Sequence, residues 1–157
     1  MVFILLSVIW RKIAEGALSD LSQCFLINPA ISSRIEEKHI IKVIEIMPKS
    51  KSTFVSVGFN FLTNFIKCDP SKMPCFIESG FYQFAATKIP TESVCNFIIE
   101  LLKFSEKLDK DDQLNIFNYF YDNDLRRKYL NCCFQLVDCE REQSNIFKIL
   151  IHLFKYQ

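Results

Sequence analysis

Phe54-Val55-Ser56-Val57-Gly58-Phe59-Asn60-Phe61-Leu62-Thr63-Asn64-Phe65 is the stretch on which the fold turns. Its residues Phe54, Val57, Phe61, Leu62 and Phe65 recur at three- and four-residue steps. That spacing sets them along one side of an α-helix and departs from the strict alternation of a half-buried strand. Three other segments carry the same pattern. Leu6, Ile9, Ile13, Ala17, Leu18, Leu21 and Phe25 form the earliest, followed later by Val94, Phe97, Ile98, Leu101, Leu102 and Leu108, and at the end by Ile146, Ile149, Leu150, Leu153 and Phe154. Each is long enough for several turns and predicts a helix with a wide apolar stripe.

Composition agrees. The 157 residues are 50% hydrophobic, with 16 Phe but only 3 Gly and 5 Pro. So few turn-formers leave little room for a many-stranded β architecture, whose short loops consume both. High apolar content with mixed charge excludes a wholly disordered chain. The length suits one domain, 1–157, burying about 70% of its unfolded surface. A net charge of +1 lacks the basic excess of a nucleic-acid protein, so no nucleic-acid partner is expected. The apolar run Val2–Trp10 stops at Arg11-Lys12, about half of what a bilayer span requires, and no membrane partner is expected.

Shorter elements are punctuated legibly. Asp69-Pro70 predicts a helix start, with Asp capping free amides and Pro at the first position. That piece ends at Gly80, which adopts the left-handed conformation cheaply. Phe81 to Lys88 predicts another short helix closed by Pro90, and Thr91 or Ser93 predicts the cap of the long helix beyond. Asp109 to Asp112 marks a break, and Asp124 a cap for Leu125 to Val137. Short, medium and long pieces thus follow one another and repeat. The medium-to-long junctions at Pro48 and Pro90 are 42 residues apart, and Phe54 and Phe61 are followed at 43 by Phe97 and Phe104. Phe147 and Phe154 follow at 50. A common period near 42 predicts a helical solenoid.

In this arrangement the chain resembles the armadillo repeat family. Phe76-Ile77-Glu78-Ser79-Gly80-Phe81 is similar to that repeat's apolar-Glu-x-Gly junction between first and second helices. Phe61-Leu62-Thr63-Asn64-Phe65 is similar to the Ala-Leu-x-Asn-Leu segment of its third helix, as is Ala17-Leu18-Ser19-Asp20-Leu21 with Asp in place of Asn. The resemblance implies an all-α, armadillo-like, right-handed superhelical solenoid of about three repeats. It has a leading long helix at 2–27 and units near 30–67, 71–108 and 111–157. It further implies a concave groove, lined by third helices, that holds a protein or an extended peptide. In family members that import nuclear cargo, an Asn grips the peptide backbone and a Trp one turn away flanks basic side chains. The Asn positions are Asp20, Asn64 and Lys107 here, and the Trp positions are Gly16, Asn60 and Lys103, so Asn64 alone matches. The resemblance implies Asp20, Asn60, Asn64, Lys103 and Lys107 as candidate partner contacts.

The sequence carries no catalytic or metal-binding motif. Two histidines, His39 and His152, stand without a framing nucleophile or acid. Asp122-Asn123-Asp124 lacks the glycine and glutamate of a calcium loop, since those places hold Arg127 and Cys133. Arg126-Arg127-Lys128 reads as a solvated helix face or a contact for an acidic partner. Seven cysteines, Cys24, Cys68, Cys75, Cys95, Cys132, Cys133 and Cys139, show no zinc spacing and read as reduced core residues. Their odd number suits an intracellular setting, cytoplasmic and/or nuclear. No metal, cofactor or catalytic residue is expected. The leading expectation is a non-catalytic protein-interaction scaffold; the alternatives are a nuclear transport adaptor binding basic peptides and a small helical thiol-dependent enzyme. Apolar end helices predict a piece of a longer solenoid, or pairing with itself or with a partner through one end.

Overall fold

Helices are the only regular elements among the residues that the computed structural model describes, which are 2–89, 91–108, 110–121 and 140–154. The all-α expectation therefore holds. The chain forms two compact units, Met1–Cys75 and Phe76–Gln157. The first contains α1 (Val2–Ile27), α2 (Glu37–Ile46) and α3 (Ser52–Cys68), joined by 3-10 turns at Pro29–Arg34 and Met47–Lys49. A further 3-10 turn, Pro70–Lys72, leads to the short α4 (Pro74–Glu78). The second unit contains α5 (Phe81–Ala86), α6 (Glu92–Ser105), α7 (Lys110–Tyr121) and α8 (Glu140–Phe154).

Helix α3 is the centre of its unit. Phe54, Val55, Phe59, Phe61, Leu62, Phe65 and Ile66 are all buried, so the helix is apolar around most of its circumference. Leu18, Ser22 and Phe25 of α1, spaced at four and three residues, are buried on the side where α1 packs on α3. Among the described residues, three side-chain bonds join the two helices. Thr53 Oγ1 donates to Glu15 Oε1 at 3.0 Å, Asn64 Nδ2 donates to Ser22 Oγ at 2.9 Å, and Cys68 Sγ donates to the Phe25 carbonyl at 3.7 Å. They climb both helices in the same direction, so α1 and α3 run parallel. The last two link residues 42 and 43 apart, the period that the sequence carries.

The two helices also end alike. Asn28 Oδ1 accepts from the Ala30 amide and Asp69 Oδ1 from the Ser71 amide, each with Pro at the start of the 3-10 turn that follows. The short polar side chain satisfies an amide that the turn leaves open, and Pro has none to satisfy. Asp69-Pro70 thus caps as expected, but it opens a 3-10 turn before α4 begins.

In the second unit α6 is the buried element, with Val94, Cys95, Phe97, Ile98, Leu101 and Leu102 at 0% exposure. Gly80 adopts φ +65, as its place predicts, and turns the chain between α4 and α5. The turn brings both flanking aromatics onto α6: Phe76 and Phe81 each meet the Phe97 ring edge-on at 5.6 Å. Helix α5 is shorter than expected, ending at Ala86 with turn geometry through Ile89. Helix α8 packs against α6 and buries Ile146, Ile149 and Leu153.

Several expectations need correction. On α1 the buried face is turned from the expected stripe: Ile13 is 55% exposed and Leu21 38%, and Ala17 is exposed too. The helix is apolar on two sides, and packing on α3 selects the side of Ser22. Phe147 is 55% exposed, so it is not the counterpart of buried Phe97; Ile146 takes the inward place. Thr91 occupies the N-cap of α6 without a side-chain bond, its carbonyl accepting from Val94 and Cys95, while Ser93 lies buried inside the helix. The side chains of Leu6, Ile9 and Phe154, and the expectations for Pro90, Asp109, 122–124, 125–137 and the cysteines at 132, 133 and 139, lie outside the described residues.

Gly58 provides a test of packing. A Cβ there would stand 2.8 Å from Met47 Sδ and 3.2 Å from Met47 Cγ, and Met47 is wholly buried. Overpacking then outweighs the gain in helix propensity. Gly58→Ala is expected to lower stability by about 1 kcal/mol in denaturant titration. Met47→Ala should cost less in the Gly58→Ala background than alone, because the added methyl fills part of the cavity.

Candidate functional site

The five candidate contacts are placed unequally. Asn60 and Asn64 lie one turn apart on α3, Asn60 exposed and Asn64 half-buried with its amide given to Ser22. Asp20 is exposed on α1, on the side turned away from Leu18, Ser22 and Phe25. Lys103, exposed on α6, is held at 2.9 Å by Glu100 one turn back. Lys107 is exposed in the turn that ends α6. Side-chain geometry thus unites Asn64 with Ser22, a residue that sequence reasoning did not single out.

A repeat position of a different kind emerges from burial. Ser22, Thr63 and Ser105 are 4%, 3% and 0% exposed, spaced 41 and 42 residues apart. Leu18, Phe59 and Leu101, four residues earlier, are buried at the same spacing. A hydroxyl survives burial on a helix when it bonds its own chain. Thr63 Oγ1 donates to the Phe59 carbonyl at 2.7 Å and Ser105 Oγ to the Leu102 carbonyl at 2.6 Å, while Ser22 Oγ receives Asn64. Counted from this position, Asp20 stands two residues before, Asn64 one after and Lys107 two after. Asp20 and Asn64 therefore occupy different faces of their helices, and Lys107 lies past the end of α6.

One hollow lies within the first unit. It has a volume of about 400 Å³ and is lined by Ala14 of α1, Lys42, Glu45 and Ile46 of α2, Lys49, Ser50 and Phe54. Its floor is apolar and its rim is charged, with Lys42 paired to Glu45 at 3.2 Å. The α2 residues follow at three and one positions, so a single helix face supplies Lys42, Glu45 and Ile46, and the 3-10 turn beyond it adds Lys49. That spacing is visible in the sequence; the approach of α1 that closes the hollow is not.

Cysteine chemistry is muted where it is described. Cys75 and Cys95 are buried, and Cys24 and Cys68 are half-buried and free. Burial pushes the Cys68 thiol above its usual value, with Lys67 alongside partly offsetting the rise. Neutral thiol is the poor nucleophile, so this shift opposes reactivity near neutral pH. His39 is exposed on α2 and His152 half-buried on α8. Among the described residues no group of three or more His, Cys, Asp or Glu could hold a metal ion, and no helix is long and apolar enough to cross a membrane.

No protein-family model matches the chain, and no curated protein and no solved structure is found similar to it.

Two outcomes follow from this geometry. Asn64→Ala and Ser22→Ala are each expected to cost about 1 kcal/mol, and the double variant less than the sum, because both remove one bond. For Cys68 the folded pKa is raised, so the unfolded chain ionises first as pH climbs. Its thiol therefore lowers stability only on the alkaline side, as pH rises through the ordinary thiol value and beyond. Alkylation followed by mass spectrometry should find Cys68 in the folded protein slower than in the denatured chain at neutral pH, with the rate climbing at alkaline pH.

Proposed function

We propose that this protein is a non-catalytic interaction scaffold of armadillo-like form, whose long helices present a groove to a protein or an extended peptide. The observation that carries the reading is the parallel packing of α1 on α3, bonded between residues 42 and 43 apart. The buried hydroxyls Ser22, Thr63 and Ser105 support it, as do the matching Asx-Pro ends of α1 and α3. Units that repeat at this length cannot bury their apolar faces alone and gain stability by stacking. Each long helix leaves exposed polar positions beside its buried stripe. On α3 such a position is Asn60, and on α6 Lys103.

Recognition in this reading falls to residues whose side chains are accessible. Asn64 contributes to the frame through Ser22 rather than to a ligand, so the adaptor version that relies on its amide draws no support from the geometry. An extended peptide would instead meet exposed amide and ammonium groups, which bond backbone carbonyls and acidic side chains.

Panning the chain against a library of extended peptides tests the reading. It requires a binder whose affinity falls about tenfold on Asn60→Ala or Lys103→Ala, with helicity unchanged by circular dichroism. A library without binders, or binders indifferent to both substitutions, would remove it.

A further inference from the structure

The face of α1 turned away from α3 carries Ile13, Gly16, Ala17, Asp20 and Ile27, all exposed. Ile13 is 55% and Ile27 84% open to solvent. A Cβ built on Gly16 would meet nothing within 4 Å, so the space over the middle of this face is free. An apolar helix face of this length calls for a partner.

Its charges say which partner. Lys12 and Asp20 flank Gly16 at four residues on either side, about 6 Å each way along the axis. Both are exposed, and neither joins an ion pair among the described residues. A second α1 laid antiparallel across the first at Gly16 brings Lys12 of each copy to Asp20 of the other. A parallel pair would set Lys12 on Lys12 and Asp20 on Asp20. The pattern is self-complementary in one orientation and repulsive in the other.

We propose that two copies of this chain pair through this face, α1 antiparallel to α1, about a two-fold axis at Gly16. The missing side chain of Gly16 lets the two helices approach closely where they cross. Ile13 of each copy enters the gap flanked by Gly16, Ala17 and Asp20 of the other, burying apolar surface that is otherwise wet. Such an isologous contact closes on itself and stops at two copies. It uses neither Asn60 nor Lys103 and is independent of the scaffold reading.

Sedimentation over a wide concentration range tests the pairing, with circular dichroism to verify folding of each variant. The wild-type chain should pass from monomer to dimer, with no larger species. Lys12→Asp and Asp20→Lys should each weaken the dimer by about tenfold, more gently at high salt. The double variant, with both charges exchanged, should restore it. Under mild oxidation Gly16→Cys should yield a disulfide-linked dimer in excess of the wild-type background. Ser33→Cys, equally exposed but beyond the end of α1, should not. A monomer at every concentration overturns the proposal. So does a dimer that ignores the single substitutions, or one that the exchange fails to rescue, since either would place the contact elsewhere.

Discussion

The first unit is organised around the ring of Phe25. It lies 5.5 Å from Phe61 and 5.8 Å from Phe65, wholly buried, with those two rings stacked one turn apart on α3. Burying one such side chain contributes roughly 2–3 kcal/mol, and the tilted ring contacts add to it. Exposed ion pairs such as Lys38–Glu36 and Lys42–Glu45 contribute at most about 1 kcal/mol each. Apolar contact therefore holds α1 on α3, and the polar bonds at Glu15, Ser22 and the Phe25 carbonyl choose the height at which it is held. The second unit follows the same logic with Phe76, Phe81 and Phe97, assembled by the left-handed turn at Gly80.

Much of this was legible from the sequence wherever a residue type has one physical use. Gly80 accepts a positive φ at little cost, and Asp69 before Pro70 has few roles besides a cap. The long helices declared themselves because several turns of periodic apolar residues fit nothing else. Legibility ended where two patterns overlap. Helix α1 has apolar residues on opposite sides, and only the arrival of α3 decides that Leu18 and Phe25 go in while Ile13 and Leu21 stay out. Phe147 misled for a related reason: a large aromatic at a repeating interval looks buried, although Ile146 beside it takes the inward place.

The candidate site was less legible than the fold. Exposure of Asn60, Lys103 and Lys107 follows from polarity alone, but polarity does not say that Asn64 would turn to Ser22. Ser22, Thr63 and Ser105 read as surface from their hydroxyls, whereas Thr63 and Ser105 are absorbed by bonds to their own helix carbonyls and Ser22 by the amide of Asn64. The hollow beside Phe54 depends on how closely α1 approaches α2, a distance that no local pattern encodes. Asp20 is the residue whose meaning changes most. Aligned with Asn64 it resembles a groove residue; on its own helix it balances Lys12 across Gly16.

The parallel course of α1 and α3 has a mechanical consequence. The bonds at Glu15, Ser22 and the Phe25 carbonyl stand at three heights along one seam, so sliding one helix past the other must strain them together. Lifting one end away breaks them in sequence, each before the next is stretched. Under tension along the helix axes the seam therefore resists as a shear joint, with the load shared among its bonds. Under a sideways pull at Glu15 or Cys68 it opens like a peeled strip, one contact at a time. The same unit is thus stiff in one direction and compliant in the other, and the difference lies in the order in which identical contacts are broken.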